Sequence, residues 1–243
     1  MAFLTGLVAM PRHAINSTSS ISEQLITMTT ETTLSAKQQA IVPIAAHVAI
    51  GDLARLNIAL GRGLDVGLSI SDCKEILVQM YAYAGFPRSI NALTELMKLL
   101  QTRKQDGIVD APGLDSCPVP QGAALLDAGT ANQTKLSGAP VKGPLFEFAP
   151  AIDLYLKTHL FGDIFARDNL DWQSRELATV AALAAMPGVE PQLQAHMRIS
   201  MNVGVSAAQL RQLIQVLAER VSADAGQRAQ AALDAQLSSG LQH

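Results

Sequence analysis

Apolar residues return at three- and four-residue spacings along most of the chain, with short glycine-containing or polar breaks between runs. The stretch "SDCKEILVQM" from Ser71 carries this helical period, and so does "TELMKLL" from Thr94. Between them, "YAYAGFPRSINAL" from Tyr81 interrupts the pattern with Gly85-Phe86-Pro87. A proline inside a helix removes one backbone bond and clashes with the carbonyl four residues back, at a cost of roughly 3 kcal/mol. The break therefore predicts a corner where one helix ends and another begins, aiming Tyr81, Tyr83 and Arg88 at a pocket.

The pattern also repeats. Written beneath each other without gaps, Lys37–Leu77 and Ser174–Ile214 bring Gly51 onto Gly188, Leu56 onto Leu193, and Val66-Gly67 onto Val203-Gly204, a constant shift of 137 residues from Gly67 to Gly204. Each copy reads as helix, glycine turn, helix, then Gly-x-Ser and another amphipathic helix. The glycine is placed as a C-cap and the serine as the N-cap of the next helix. This predicts a first unit over 37–103, a linker region over 104–150 with one short helix around Gly122–Gln133, and a second unit over 151–221. An N-terminal extension, 1–36, and a C-terminal tail, 222–243, flank them.

Composition narrows the class. With 49% apolar residues but only 4% aromatics, abundant Ala and Leu and few β-branched runs, the chain is expected to be all-α. A formal net charge of −3 offers no basic face for nucleic acid. Cys73 and Cys117 lie far apart and belong to no Cys-x-x-Cys or His-rich cluster, so buried free thiols are expected and no metal site is. The opening "MAFLTGLVAMPRHA" has the apolar length of a signal peptide, but no Lys or Arg precedes that stretch. No run approaches the ~18 apolar residues of a membrane span. The expectation is a soluble, cytoplasmic protein with no membrane partner, a periplasmic or secreted location being the alternative.

The corner "YAYAGFPRSINAL", together with "HLFGDIFARDNLDWQSRELATVAALAAMPGVEPQLQAHMRISMNVGVS", resembles the carboxymuconolactone decarboxylase family, related to the AhpD-like alkylhydroperoxidases, in its tandem two-domain form. The resemblance runs from about Lys37 to Glu219. It implies an AhpD-like helical fold of two tandem units, a homo-oligomer with a trimer favoured, and a small-molecule substrate. It also implies cofactor-free acid–base decarboxylation of a small carboxylated or lactone compound, as in the breakdown of aromatic compounds. Glu176 and His196 occupy the positions where the family places a proton-handling pair.

The residues themselves fit that implication. Asp171 is placed to cap the helix that carries Glu176. The turn from Met186 to Pro191 folds the chain back so that Glu176 and His196, nearly equidistant from it, come level. The first copy has Gln39 and Ala59 at these two positions, so it lacks the pair. One composite site is expected, with acid–base residues from the second unit and a wall of Tyr81 and Tyr83 from the first, within one chain or between chains. His196 would donate the proton and Glu176 would orient it or relay its proton. Arg88 or Arg198 would hold a carboxylate, Asn202 would add a hydrogen bond, and Trp172 would exclude water. His47 reads as a core or interface residue, His159 as ordering the lead-in to Gly162-Asp163, and Asp163, Arg167 and Asp168 as an ion network. Two other functions remain open. AhpD-like peroxide reduction needs a cysteine pair just before the histidine, where this chain reads "GVEPQLQAH". A non-catalytic binding or assembly module would suit the first copy.

Overall fold

The computed structural model describes residues 33–240. Most of the expected N-terminal extension, including its apolar opening, lies outside these residues. Among the described residues the structure is helical and contains no strand.

Two helices form the centre. Helix α1 (Ala36–Ile50) starts at a capping box in which the Ser35 hydroxyl accepts from the Gln38 N–H and the Gln38 side chain accepts from the Ser35 N–H. Residues Ala40–Ala49 are buried on every face. Helix α9 (Trp172–Ala185), which packs along α1, is buried from Ser174 onward. A helix that is apolar all round belongs in an interior, and the many alanines let the two backbones approach.

Around this pair the elements recur. Helix α2 (Leu53–Asp65) corresponds to α10 (Glu190–Asn202), and α3 (Ile70–Gln79) begins where α11 (Ala207–Arg220) does. Both starts and both ends of α2 and α10, and the starts of α3 and α11, are 137 residues apart. Ser69 and Ser206 close capping boxes with Asp72 and Gln209. The turn glycines match as well, with φ of 77° at Gly51 and 83° at Gly188, and 96° at Gly67 and 93° at Gly204. The starts of α1 and α9 lie 136 residues apart, and α11 runs on to Arg220 where α3 stops at Gln79.

The proline corner forms as the sequence suggests. A single turn, α4 (Tyr81–Ala84), stops at Gly85, whose φ of 84° and ψ of 157° suit glycine alone. Helix α5 (Phe86–Gln105) restarts at once with Pro87 in its first turn, where a missing N–H costs nothing.

The linker and tail are more ordered than their composition suggested. Helix α6 spans Ala123–Ser137, well beyond Gln133, and ends with Leu136 fully buried. Short helices α7 (Pro144–Phe148) and α8 (Pro150–Tyr155) lead into a π-helical segment, Leu156–Ile164. Within the tail expected at 222–243 lies a helix, α12 (Ala223–Gly240), which buries Ala225, Ala229, Ala232 and Leu233. Those four positions form a narrow stripe of mostly alanine in a polar sequence, too weak a pattern to stand out.

Helix α6 and the π-helical segment nearly touch. The Asn132 side chain donates to the Phe161 carbonyl at 2.9 Å. One turn earlier, a Cβ on Gly129 would lie 1.7 Å from the Lys157 carbonyl oxygen. Gly129→Ala is therefore expected to destabilise the protein by ~1–3 kcal/mol or more, since a backbone atom cannot yield as a side chain can. A denaturant melt with an unchanged midpoint would contradict this contact.

Candidate acid–base site

The turn between α9 and α10 places Glu176 and His196 side by side. His196 Nδ1 lies 2.7 Å from Glu176 Oε2. The carboxylate side chain has no exposed surface, whereas the imidazole keeps 10% of its own exposed, so the imidazole is the member a ligand can reach. Glu176 Oε1 is buried with no hydrogen-bond partner.

The first half of the chain supplies the third member. The Tyr83 ring meets the His196 ring edge to face, with centroids 5.7 Å apart and planes at 81°. Its hydroxyl is buried and makes no well-formed hydrogen bond. Burial pushes the phenol pKa up and the Glu176 charge adds to this, while Thr179 and Arg175 offset it only in part. Tyr83 thus stays a neutral O–H donor beside a buried carboxylate and an imidazole.

Tyr81 and Trp172 stand nearby. Both pack against a small apolar cluster that includes Leu136, Phe165 and Ile199, as does Tyr83. Tyr81 stacks on Phe86 at 4.4 Å and tilts against His159 at 5.3 Å. The Trp172 indole N–H donates to the Phe165 carbonyl at 2.9 Å, and Lys135 Nζ sits 5.0 Å from its ring centroid. Trp172 lines a cleft that Asn202 shares, and the Asn202 side chain donates to the Leu136 carbonyl at 2.9 Å. Neither Glu176 nor His196 lines this cleft.

Two expected anchors are elsewhere. Arg88 donates through Nη1 to the Ala49 carbonyl at the end of α1, where it caps a helix. Arg198 is exposed, and two residues from His196 it emerges on the other side of α10.

A buried ion network centred on Arg175 and Glu75, neither of which the sequence singled out, lies next to the pair. Arg175 is completely buried, yet donates to Glu75 at 3.0 Å, to Gln79 at 3.2 Å and to the carbonyls of Leu170 and Arg167. Gln79 in turn donates to the Arg175 carbonyl and to the Thr179 hydroxyl. Arg167 grips Glu75 with two nitrogens, at 2.9 and 2.7 Å. The network expected of Asp163, Arg167 and Asp168 does not form as such, because Arg167 is taken by Glu75. Asp163 pairs with His159 at 2.6 Å, and Asp168 accepts from the Cys117 N–H. Burial alone would raise the Glu75 pKa, but hydrogen bonds from Arg167, Arg175 and Asn169 outweigh it and hold it below the ordinary value. The network ties α3 to α9 one residue from Glu176.

Residues 150–236 match the carboxymuconolactone decarboxylase family model. The matched segment contains Glu176, His196, Trp172 and the whole of α9, α10 and α11. Tyr83, Glu75 and the rest of α1 to α5 lie outside it. No curated protein matches the chain. Among the described residues, no helix is long and apolar enough to cross a membrane, and no cluster of three or more His, Cys, Asp or Glu side chains forms a metal site.

Proposed function

We propose that the chain is a carboxymuconolactone decarboxylase-like enzyme, a lyase acting by cofactor-free acid–base chemistry on a small carboxylated or lactone compound from aromatic breakdown. The observation that carries this reading is the buried 2.7 Å contact between Glu176 and His196 inside the family-matched segment. With Nδ1 held by the carboxylate, His196 presents Nε2 to substrate. As the C–C bond to the carboxylate breaks and carbon dioxide leaves, the electron pair stays on the substrate as an enolate. The Nε2 proton then moves to that carbon, and solvent restores it. Tyr83 supplies a neutral hydroxyl for the developing oxyanion.

Thiol peroxidase chemistry gains no support from the cysteines. Burial pushes the Cys73 thiol up to about 12, and Asp168 raises that of Cys117, so neither favours the thiolate that such chemistry needs. The test is release of carbon dioxide from carboxymuconolactone and related carboxylated lactones. Turnover that a peroxide assay lacks is expected, whereas no release from any of them would favour a non-catalytic module.

The same proposal includes a tandem of two family-type units, supported by the 137-residue recurrence of helix ends and turn glycines. It also includes a homotrimer. Phe86, Ile90 and Met97 form an exposed apolar stripe along α5, each more than half exposed. Light scattering should give three times the chain mass, and a monomer at micromolar concentration would contradict it.

A further inference from the structure

The internal register points to a second site. The positions of Glu176 and His196 correspond to Gln39 and Ala59, and Tyr83, which packs on that pair, corresponds to Arg220. In the structure these three counterparts line one cavity of about 280 Å³ between α1, α2 and the end of α11. Each half thus contributes one residue at this shared register position, Tyr83 or Arg220, to the corresponding place in the other half. Where the second half is filled by an imidazole–carboxylate pair, the first is open.

The chemistry of this opening is that of an anion receptor with an apolar floor. Arg55, Arg62 and Arg220 line it and no carboxylate does. Arg55 is partly engaged, 3.6 Å from Asp52 and 3.4 Å from the Val221 carbonyl, but among the described residues Arg62 and Arg220 have no ion-pair partner. Pro43, Ile58 and Ala59 supply apolar surface. His47, expected to be a core or interface residue, lines the same cavity while only 2% exposed, and its Nδ1 is buried with no partner. A buried ring nitrogen without a partner costs free energy unless something meets it.

We propose that this cavity is a binding site for a small organic carboxylate with a flat apolar body, its carboxylate held by Arg62 and Arg220 and its edge reached by His47. It has no acid–base pair, because Gln39 and Ala59 stand where that chemistry would need Glu and His. It is a receptor rather than a second reaction centre. Burial lowers the His47 pKa, partly offset by Asp52 and the Arg220 main chain, so the imidazole is neutral at neutral pH and meets a ligand as a single hydrogen-bonding group.

Calorimetric titration of the full chain with benzoate tests this, with benzamide and inorganic phosphate as companions. Benzoate is expected to bind at millimolar concentration or below, and more weakly as salt is added. The exposed double variant Arg62→Gln/Arg220→Gln should weaken it by about tenfold or more. Ala59→Leu, which fills the cavity, should remove binding, and His196→Ala should retain it. No benzoate binding at millimolar concentration would overturn the proposal. So would benzamide or phosphate binding as tightly as benzoate, or benzoate affinity unchanged in the double arginine variant.

Discussion

Glu75→Ala is expected to lower the unfolding free energy by about 3–5 kcal/mol, the usual result of breaking a buried ion pair from one side. The Arg175 side chain has no exposed surface, and removing Glu75 leaves it with neutral acceptors only. Arg167 loses a carboxylate gripped by two nitrogens. For a domain of this size the melting temperature should fall on the order of 10 °C. Glu75→Gln, which keeps the shape, should cost less.

The same pair of proteins carries a pH signature. Because the folded state holds the Glu75 pKa below its unfolded value of 4.5, the ionised form stabilises the fold. That contribution is complete above the unfolded value and is lost as pH falls through the folded one. The stability gap between wild type and Glu75→Gln should therefore be constant near neutrality and narrow below about pH 4.5. A gap that widened on acidification, or an alanine variant as stable as wild type, would show that the network contributes nothing.

How much of this was legible in the sequence depends on the kind of signal. Turn glycines and capping serines act locally, so Gly51, Gly67, Ser69 and their counterparts announced the helix ends and their shared register. Glu176 and His196 could be placed together because one short turn sets their separation along two helices. Tyr83 followed from the proline corner. Arg88 did not, because whether a guanidinium reaches a ligand or a helix-end carbonyl depends on what lies opposite, here Ala49. Arg175 was hidden for a related reason: beside Glu176 it looks like a surface charge, and only the docking of α3, with Glu75 and Gln79, and of the 167–170 segment onto it gives it buried partners. The cavity at Ala59 was half visible, since loss of the pair was evident. What could not be read was that Arg220, distant in sequence, closes it.

His196→Ala is expected to lower turnover per folded molecule by about 10²–10⁴-fold. The loss also strips the fully buried Glu176 carboxylate of its hydrogen bond, so the alanine variant should melt earlier than wild type, and turnover is compared per folded molecule. Glu176→Gln should act in the same direction by a smaller factor. It keeps the shape and a hydrogen bond to Nδ1 but removes the carboxylate that orients the ring and relays its proton. A histidine held only for packing would behave differently, costing ~1–3 kcal/mol of stability and affecting activity only through unfolding.

The most direct measurement is carbon dioxide release from carboxymuconolactone by wild type, His196→Ala and Glu176→Gln, with thermal melts on the same samples. The expected result is a loss of turnover per folded molecule in both variants, larger for His196→Ala, with the melting temperature of Glu176→Gln close to wild type. A His196→Ala protein that melts earlier yet turns over carboxymuconolactone as fast per folded molecule would contradict the acid–base role of the pair.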